Sequence, residues 1–224
     1  MTQEKPMIVV NFKTYKNGTG ENGLELAKKM NNLRNEKTEL IAAVQNCDIH
    51  RIAKEVVIPV YAQHIDPIEF GSNTGHDLPE AIKKSGAFGA LINHSEDSLK
   101  DFKRIEETFA RAEEAKLKSI VCVPTPNLAE KVARFKPEYI AFEPPELIGG
   151  DVSVTTKPDV IKEVIKKVND VDENITVLIG AGVKSGEDVK KALELGAKGV
   201  LVASGVVKSK NPMKVLQDFI KACE

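Results

Sequence analysis

The sequence predicts an α/β fold, a closed (β/α)8 barrel, and three observations lead there. Eight short apolar runs, rich in β-branched residues, recur along 224 residues. Each run is continuous rather than alternating, the mark of a strand covered on both faces. A helix candidate follows every run, and eight strand-then-helix repeats without a long interruption favour closure over an open doubly wound sheet, the main rival.

In chain order, strands are expected at Met7–Phe12, Glu39–Gln45, Ile58–Gln63, Phe88–Asn93, Ser119–Val123, Tyr139–Glu143, Thr176–Gly180 and Gly199–Ala203. The helices between them announce themselves by periodicity. Pro158–Val168 sets Val160, Ile161, Val164, Ile165 and Val168 on one stripe, with Pro158 suited to a first helical position. From Asp97 to Ala115, Leu99, Phe102, Ile105, Phe109 and Ala112 share a face, and charged residues cover the other. The last helix, Asn211 to Ala222, turns Val215, Leu216, Phe219 and Ile220 inward. Asp48–Glu55 and Pro126–Phe135 are short helices. Gly and Pro sit between elements and no linker interrupts them, so residues 1–224 are expected to form one domain.

Composition excludes several function classes. The chain is 42% hydrophobic and 29% charged with a formal net charge of -1, which offers no footprint for nucleic acid or an anionic membrane. A charged fraction this near the usual value, about 25%, is no argument for thermostability. No apolar run approaches the roughly 20 residues that span a bilayer. The start, MTQEKPMIVV, lacks the basic region and long apolar stretch of an export signal, so a cytoplasmic location is expected. Cys47, Cys122 and Cys223 are odd in number and widely spaced, which argues against disulfides or a zinc site and reads as small buried or incidental hydrophobes.

In such a barrel, the loops after the strands build the site. The first strand ends in Asn11 and Lys13, and the fourth in Asn93, His94, Ser95 and Glu96. The sixth ends in Glu143, followed by Pro144-Pro145 and, farther on, Ile148-Gly149-Gly150. A carboxylate after a buried strand is either a rim salt-bridge partner or a general base whose pKa desolvation raises; flanking Phe142 and the prolines favour the base. His94 is either a hydrogen-bonded strand-end histidine or a catalytic imidazole, and its neighbours distinguish it from His50, His64 and His76. Lys13, two residues after Asn11, is expected to point the same way and to need an anion, either Glu96 or a substrate phosphate. Gly180-Ala181-Gly182 and Ala203-Ser204-Gly205, after strands seven and eight, are turns that suit a phosphate. His94, Glu96 and Glu143 lack metal-ligand spacing, so no metal is expected.

These stretches, NFK at 11–13, NHSE at 93–96, FEPPELIG at 142–149, GAG at 180–182 and VAS at 202–204, occur in order from Val9 to about Val207. Together they resemble the triosephosphate isomerase family, and Gln63 to Glu96 resembles its compact archaeal branch. The resemblance implies an aldose–ketose isomerase of glycolysis and gluconeogenesis, with Glu143 as the proton-shuttling base and His94 as a neutral electrophile. Lys13 and Asn11 would contact substrate, and Glu96, with Ser95, would support them. Gly149, Gly182, Ala203 and Ser204 would bind phosphate through backbone N–H groups, with Ile148 beside them. Pro144 to about Ser153 would be a lid. Proton movement alone needs no metal and no redox cofactor. A homo-oligomer is implied, a tetramer rather than a dimer; Gly71 to Leu78 matches the loop that reaches a neighbouring subunit in this family, although its composition alone reads as a solvated surface loop.

Three departures from the family's commoner pattern stand out. Glu146 occupies the lid position where tryptophan is usual, and the chain has no Trp. GAG and AS replace the commoner GGS and GG turns, and 224 residues is short beside the usual length, about 250. Two rival readings are a phosphate-binding barrel for another sugar or indole phosphate, and a catalytically silent barrel. Neither requires Lys13, His94 and Glu143 together.

Overall fold

A computed structural model of the chain describes residues 5–144, 153, 156 and 158–224. Its strands are β1 (Met7–Asn11), β2 (Glu39–Val44), β3 (Val60–Ala62), β4 (Gly89–Ile92), β5 (Lys118–Val123), β6 (Tyr139–Phe142), β7 (Thr176–Ile179) and β8 (Gly199–Val202). Each pairs in parallel with the next, and β8 returns to β1 in register Met7 with Gly199, which closes the barrel. The fold is therefore the eight-stranded parallel barrel that the sequence predicts.

Around it lie α1 (Gly20–Asn32), α2 (Ile49–Ala53), α3 (Pro79–Lys84), α4 (Phe102–Glu114), α5 (Pro126–Ala133), α6 (Pro158–Asn169), α7 (Gly186–Glu194), α8 (Ser204–Val207) and α9 (Pro212–Ala222). No helix among the described residues is long and apolar enough to cross a membrane.

The period of two along each strand splits the apolar residues into two cores. Met7, Val9, Ile41, Tyr61, Leu91, Ile120, Cys122, Ala141, Leu178 and Leu201 fill the barrel interior. Their neighbours Ile8, Val10, Val121, Ile140, Phe142, Ile179 and Val200 face the helices and pack with Ile105, Val164, Leu216 and Phe219. Following the inward set past the last apolar layer places Asn11, Asn93, Glu143, Gly180 and Ala203 at one mouth. The barrel is closed below by hydrophobic packing and open above to polar groups.

Most strands end one residue earlier than expected. The ladder still extends past them: Phe12 N–H donates to Ala43 C=O at 2.8 Å, and Glu143 N–H to Val123 C=O at 2.9 Å. At β3 the difference is larger, because Pro59 has no N–H to offer and the strand starts only at Val60. The helix expected from Asp97 begins at Phe102. Asn93 Oδ1 takes the N–H of Leu99 at 2.9 Å and Lys100 adopts φ 57°, so the chain wraps around Asn93 before Asp101 caps α4. The short helix expected over Asp48–Glu55 divides into a 3-10 turn, Asn46–Asp48, and α2.

Candidate active site

The polar mouth opens into a cavity of ≈ 370 Å³ lined by Asn11, Lys13, His94, Ser95, Glu143, Gly182, Ala203 and Ser204, among others. Eight residues named from the sequence therefore share one cavity. Glu96 joins them through Lys13, whose Nζ is 2.8 Å from Glu96 Oε1. Ile148 and Gly149, and the lid expected from Pro144 to about Ser153 apart from its two end residues, lie outside the described residues.

Glu143 follows β6 directly and points into the barrel mouth, with only 4% of its surface exposed. Burial raises its carboxyl from 4.5 to about 7; hydrogen bonds from Cys122 and the Ser95 N–H, and the charge of Lys13, oppose the rise without cancelling it. Oε2 accepts the Ser95 N–H at 3.4 Å, and Oε1 lies 3.4 Å from His94 Nε2. Gly180 leaves room for this side chain: a Cβ there would lie 2.6 Å from Glu143 Cγ.

His94 is buried at the end of β4. Its Nδ1 accepts the backbone N–H of Glu96 at 3.2 Å, so that nitrogen carries a lone pair and the ring proton sits on Nε2. Burial first, then the positive charge of Lys13, push the imidazole pKa below its ordinary 6.5. Both effects keep the ring neutral with an N–H aimed at the cavity. Asn93 holds the turn from behind, its Nδ2 donating to Cys122 C=O at 2.8 Å.

Lys13 reaches the cavity by a different route from the expected one. β1 stops at Asn11 and Lys13 has φ 48°, so strand alternation does not aim it. Its own N–H donates to Asn11 Oδ1 at 3.0 Å, and its C=O accepts from Gln63 Nε2 at 3.2 Å. Those bonds hold a left-handed backbone that a lysine does not favour. Its ammonium meets Glu96, one of the two anions expected for it, at 2.8 Å.

On the far wall, Gly182 turns with φ 72°. The N–H of Gly180 is used by Phe142 C=O at 2.8 Å, so Gly180 shapes the wall and does not offer a donor. α8 begins at Ser204, where the first N–H groups of a helix have no partner inside it.

Cys122 is the residue that sequence reading undervalued. It is buried in the barrel interior one strand away from Glu143, and its thiol is a hydrogen-bond partner of that carboxylate. Burial and the charge of Glu143 push the thiol pKa well up, so it stays a donor. The signal was present in the strand parity, since Ile120 and Cys122 face inward with Ala141 and Glu143. Gln63 carried no such signal, because only the folded chain brings its amide to Lys13.

The family model described as triosephosphate isomerase matches residues 6–223. A protein of Methanocaldococcus jannaschii named triosephosphate isomerase is 46% identical over 217 residues, 96% of this chain and 99% of that protein. One of Methanothermus fervidus with the same name is 45% identical over 219 residues, 97% of this chain and 98% of that protein. A third, of Saccharolobus solfataricus, is 44% identical over 217 residues, 96% of this chain and 95% of that protein. With the family model spanning nearly every residue and relatives this similar end to end, the chain belongs to the triosephosphate isomerase family.

Proposed function

We propose that this chain interconverts glyceraldehyde 3-phosphate and dihydroxyacetone phosphate, in glycolysis and gluconeogenesis, through an enediol(ate). The observation that carries the reading is one cavity with a buried carboxylate of raised pKa, a neutral histidine presenting N–H, and a lysine. Glu143 removes the proton from one carbon and returns it to the next; a carboxylate with pKa near the working pH suits both directions. Nε2–H of His94 donates to the carbonyl oxygen as negative charge develops there. Triosephosphate isomerases are themselves the reference case for this pairing, and the division of labour follows theirs.

Lys13 supplies positive potential to the enediolate and the phosphate, with Asn11 beside it, Glu96 setting the ammonium and Ser95 holding the resting carboxylate. Backbone N–H groups at Gly182, Ala203 and Ser204 take the phosphate, joined by Ile148 and Gly149 from the segment after Pro144. Closure of that segment excludes water from the enediolate. The chain works in the cytoplasm as one domain and as a homo-oligomer, a tetramer rather than a dimer, by its resemblance to the compact archaeal branch.

The test is turnover of glyceraldehyde 3-phosphate by purified protein with chelator and no added cofactor. Fast turnover abolished in folded Glu143→Gln is expected; no turnover by folded wild-type protein would overturn the reading.

A further inference from the structure

Away from the cavity floor, the loop between β3 and α3 gathers imidazole and carboxylate groups on one point. His64 Nε2 is 3.3 Å from Asp66 Oδ1, and one ligand atom each from His64, Asp66 and Asp77 lie within 4.8 Å of one another. Two hydrogen bonds bring Asp77 back to Asp66. The Asp66 N–H donates to Asp77 C=O at 3.0 Å, and the Asp77 N–H donates to Asp66 Oδ2 at 2.8 Å.

The other side of the ring matters as much. His64 Nδ1 is 2.7 Å from Asp97 Oδ2. The ring therefore lies between two carboxylates, with Nδ1 on the Asp97 side and Nε2 turned to the point where Asp66 and Asp77 meet. A carboxylate that takes one ring N–H and aims the other nitrogen is also the outer partner that metal-binding histidines use.

We propose that His64 Nε2, Asp66 and Asp77 form a site for a divalent transition cation of the Zn²⁺ class, oriented by Asp97. One imidazole and two carboxylates are a donor set such ions accept, with a further position for water. His76, whose Nδ1 is 3.4 Å from Asp66 Oδ2, borders the same point. Asp97 shares its 3-10 turn with Ser95 and Glu96, so an ion here ties the β3–α3 loop to the turn that touches Lys13 and Glu143.

The experiment is calorimetric titration of chelator-stripped, full-length protein with Zn²⁺, repeated on Asp77→Asn and Asp97→Asn after circular dichroism confirms their folding. One saturable Zn²⁺ per chain is expected, weakened at least ~10-fold by Asp77→Asn and roughly 10- to 100-fold by Asp97→Asn. The wild-type melting temperature should rise with added Zn²⁺. If one variant fails to fold, the other decides. No saturable binding by folded wild-type protein overturns the site and leaves His64 as a bridge between Asp66 and Asp97 alone. Undiminished binding in the folded variants overturns it too, by placing the ion elsewhere.

Discussion

Nε2 of His94 stands 3.4 Å from Oε1 of Glu143, and both side chains are almost wholly buried. Burial acts on the two in opposite directions. It raises the acid's pKa to about 7 and lowers the imidazole's below 6.5, because in both cases the charged form loses hydration. Near neutrality the imidazole is therefore uncharged while the acid is about half ionised, and a modest rise in pH ionises the base alone.

That asymmetry sets the pH profile. Glu143 accepts a proton only when ionised, so kcat/KM should fall about tenfold per pH unit well below 7 and level off above it. His94, whose pKa lies below its ordinary 6.5, should add no second limb above that pH. Initial rates from pH 5 to 9 check this; an acid limb centred near 4.5 would contradict the buried carboxylate.

Stability should run the other way. The folded pKa of Glu143 lies above its unfolded value, so between pH 4.5 and about 7 the folded chain keeps a proton that the unfolded chain releases. Its contribution to stability falls as pH rises through that window, by an amount on the order of 3 kcal/mol at full ionisation. Glu143→Gln should therefore be more stable than wild type at pH 8 and close to it at pH 4.5, as urea unfolding at the two pH values would reveal.

Gly180→Ala tests the clearance around the base. The new methyl would lie 2.6 Å from Glu143 Cγ, so the carboxylate must leave its present position. A displacement of this kind costs about 100-fold in rate. Steady-state kinetics should show kcat falling far more than KM changes.

Gly199→Ala addresses barrel closure instead. Its Cβ would sit 2.2 Å from Met7 C=O, where β8 meets β1, and backbone cannot yield as a side chain tip does. A loss of about 3 kcal/mol or more is expected in denaturant unfolding. Gly205→Ala, whose Cβ would meet nothing nearer than Val183 C=O at 3.9 Å, should cost much less.

What the sequence by itself determined is the repeat and the residues that end it. Eight β-branched runs cannot remain in water, and each must be covered on both faces, which a closed parallel barrel with a helical jacket achieves. Asn11, His94, Glu143, Gly182 and Ala203 were legible because each sits at a strand end or in the turn after it, where local pattern alone locates it. The resemblance of the ordered motifs then supplied a chemistry that spacing does not contain. Helix starts such as Phe102 were not legible, since a side chain from β4's end, Asn93, takes the N–H of Leu99 that would otherwise have served an earlier turn.

Only the tertiary structure decided the rest. Cys122 meets Glu143 because neighbouring strands in register bring their inward side chains together. Lys13 is aimed by Asn11, Gln63 and Glu96, from three different segments, against its own backbone preference. His64, Asp66, Asp77 and Asp97 converge through the closure of one loop and the turn after another strand. Sequence periodicity records which face of an element is buried. Which distant faces then touch follows from chain closure, and in this protein that closure makes a set of strand ends into a site.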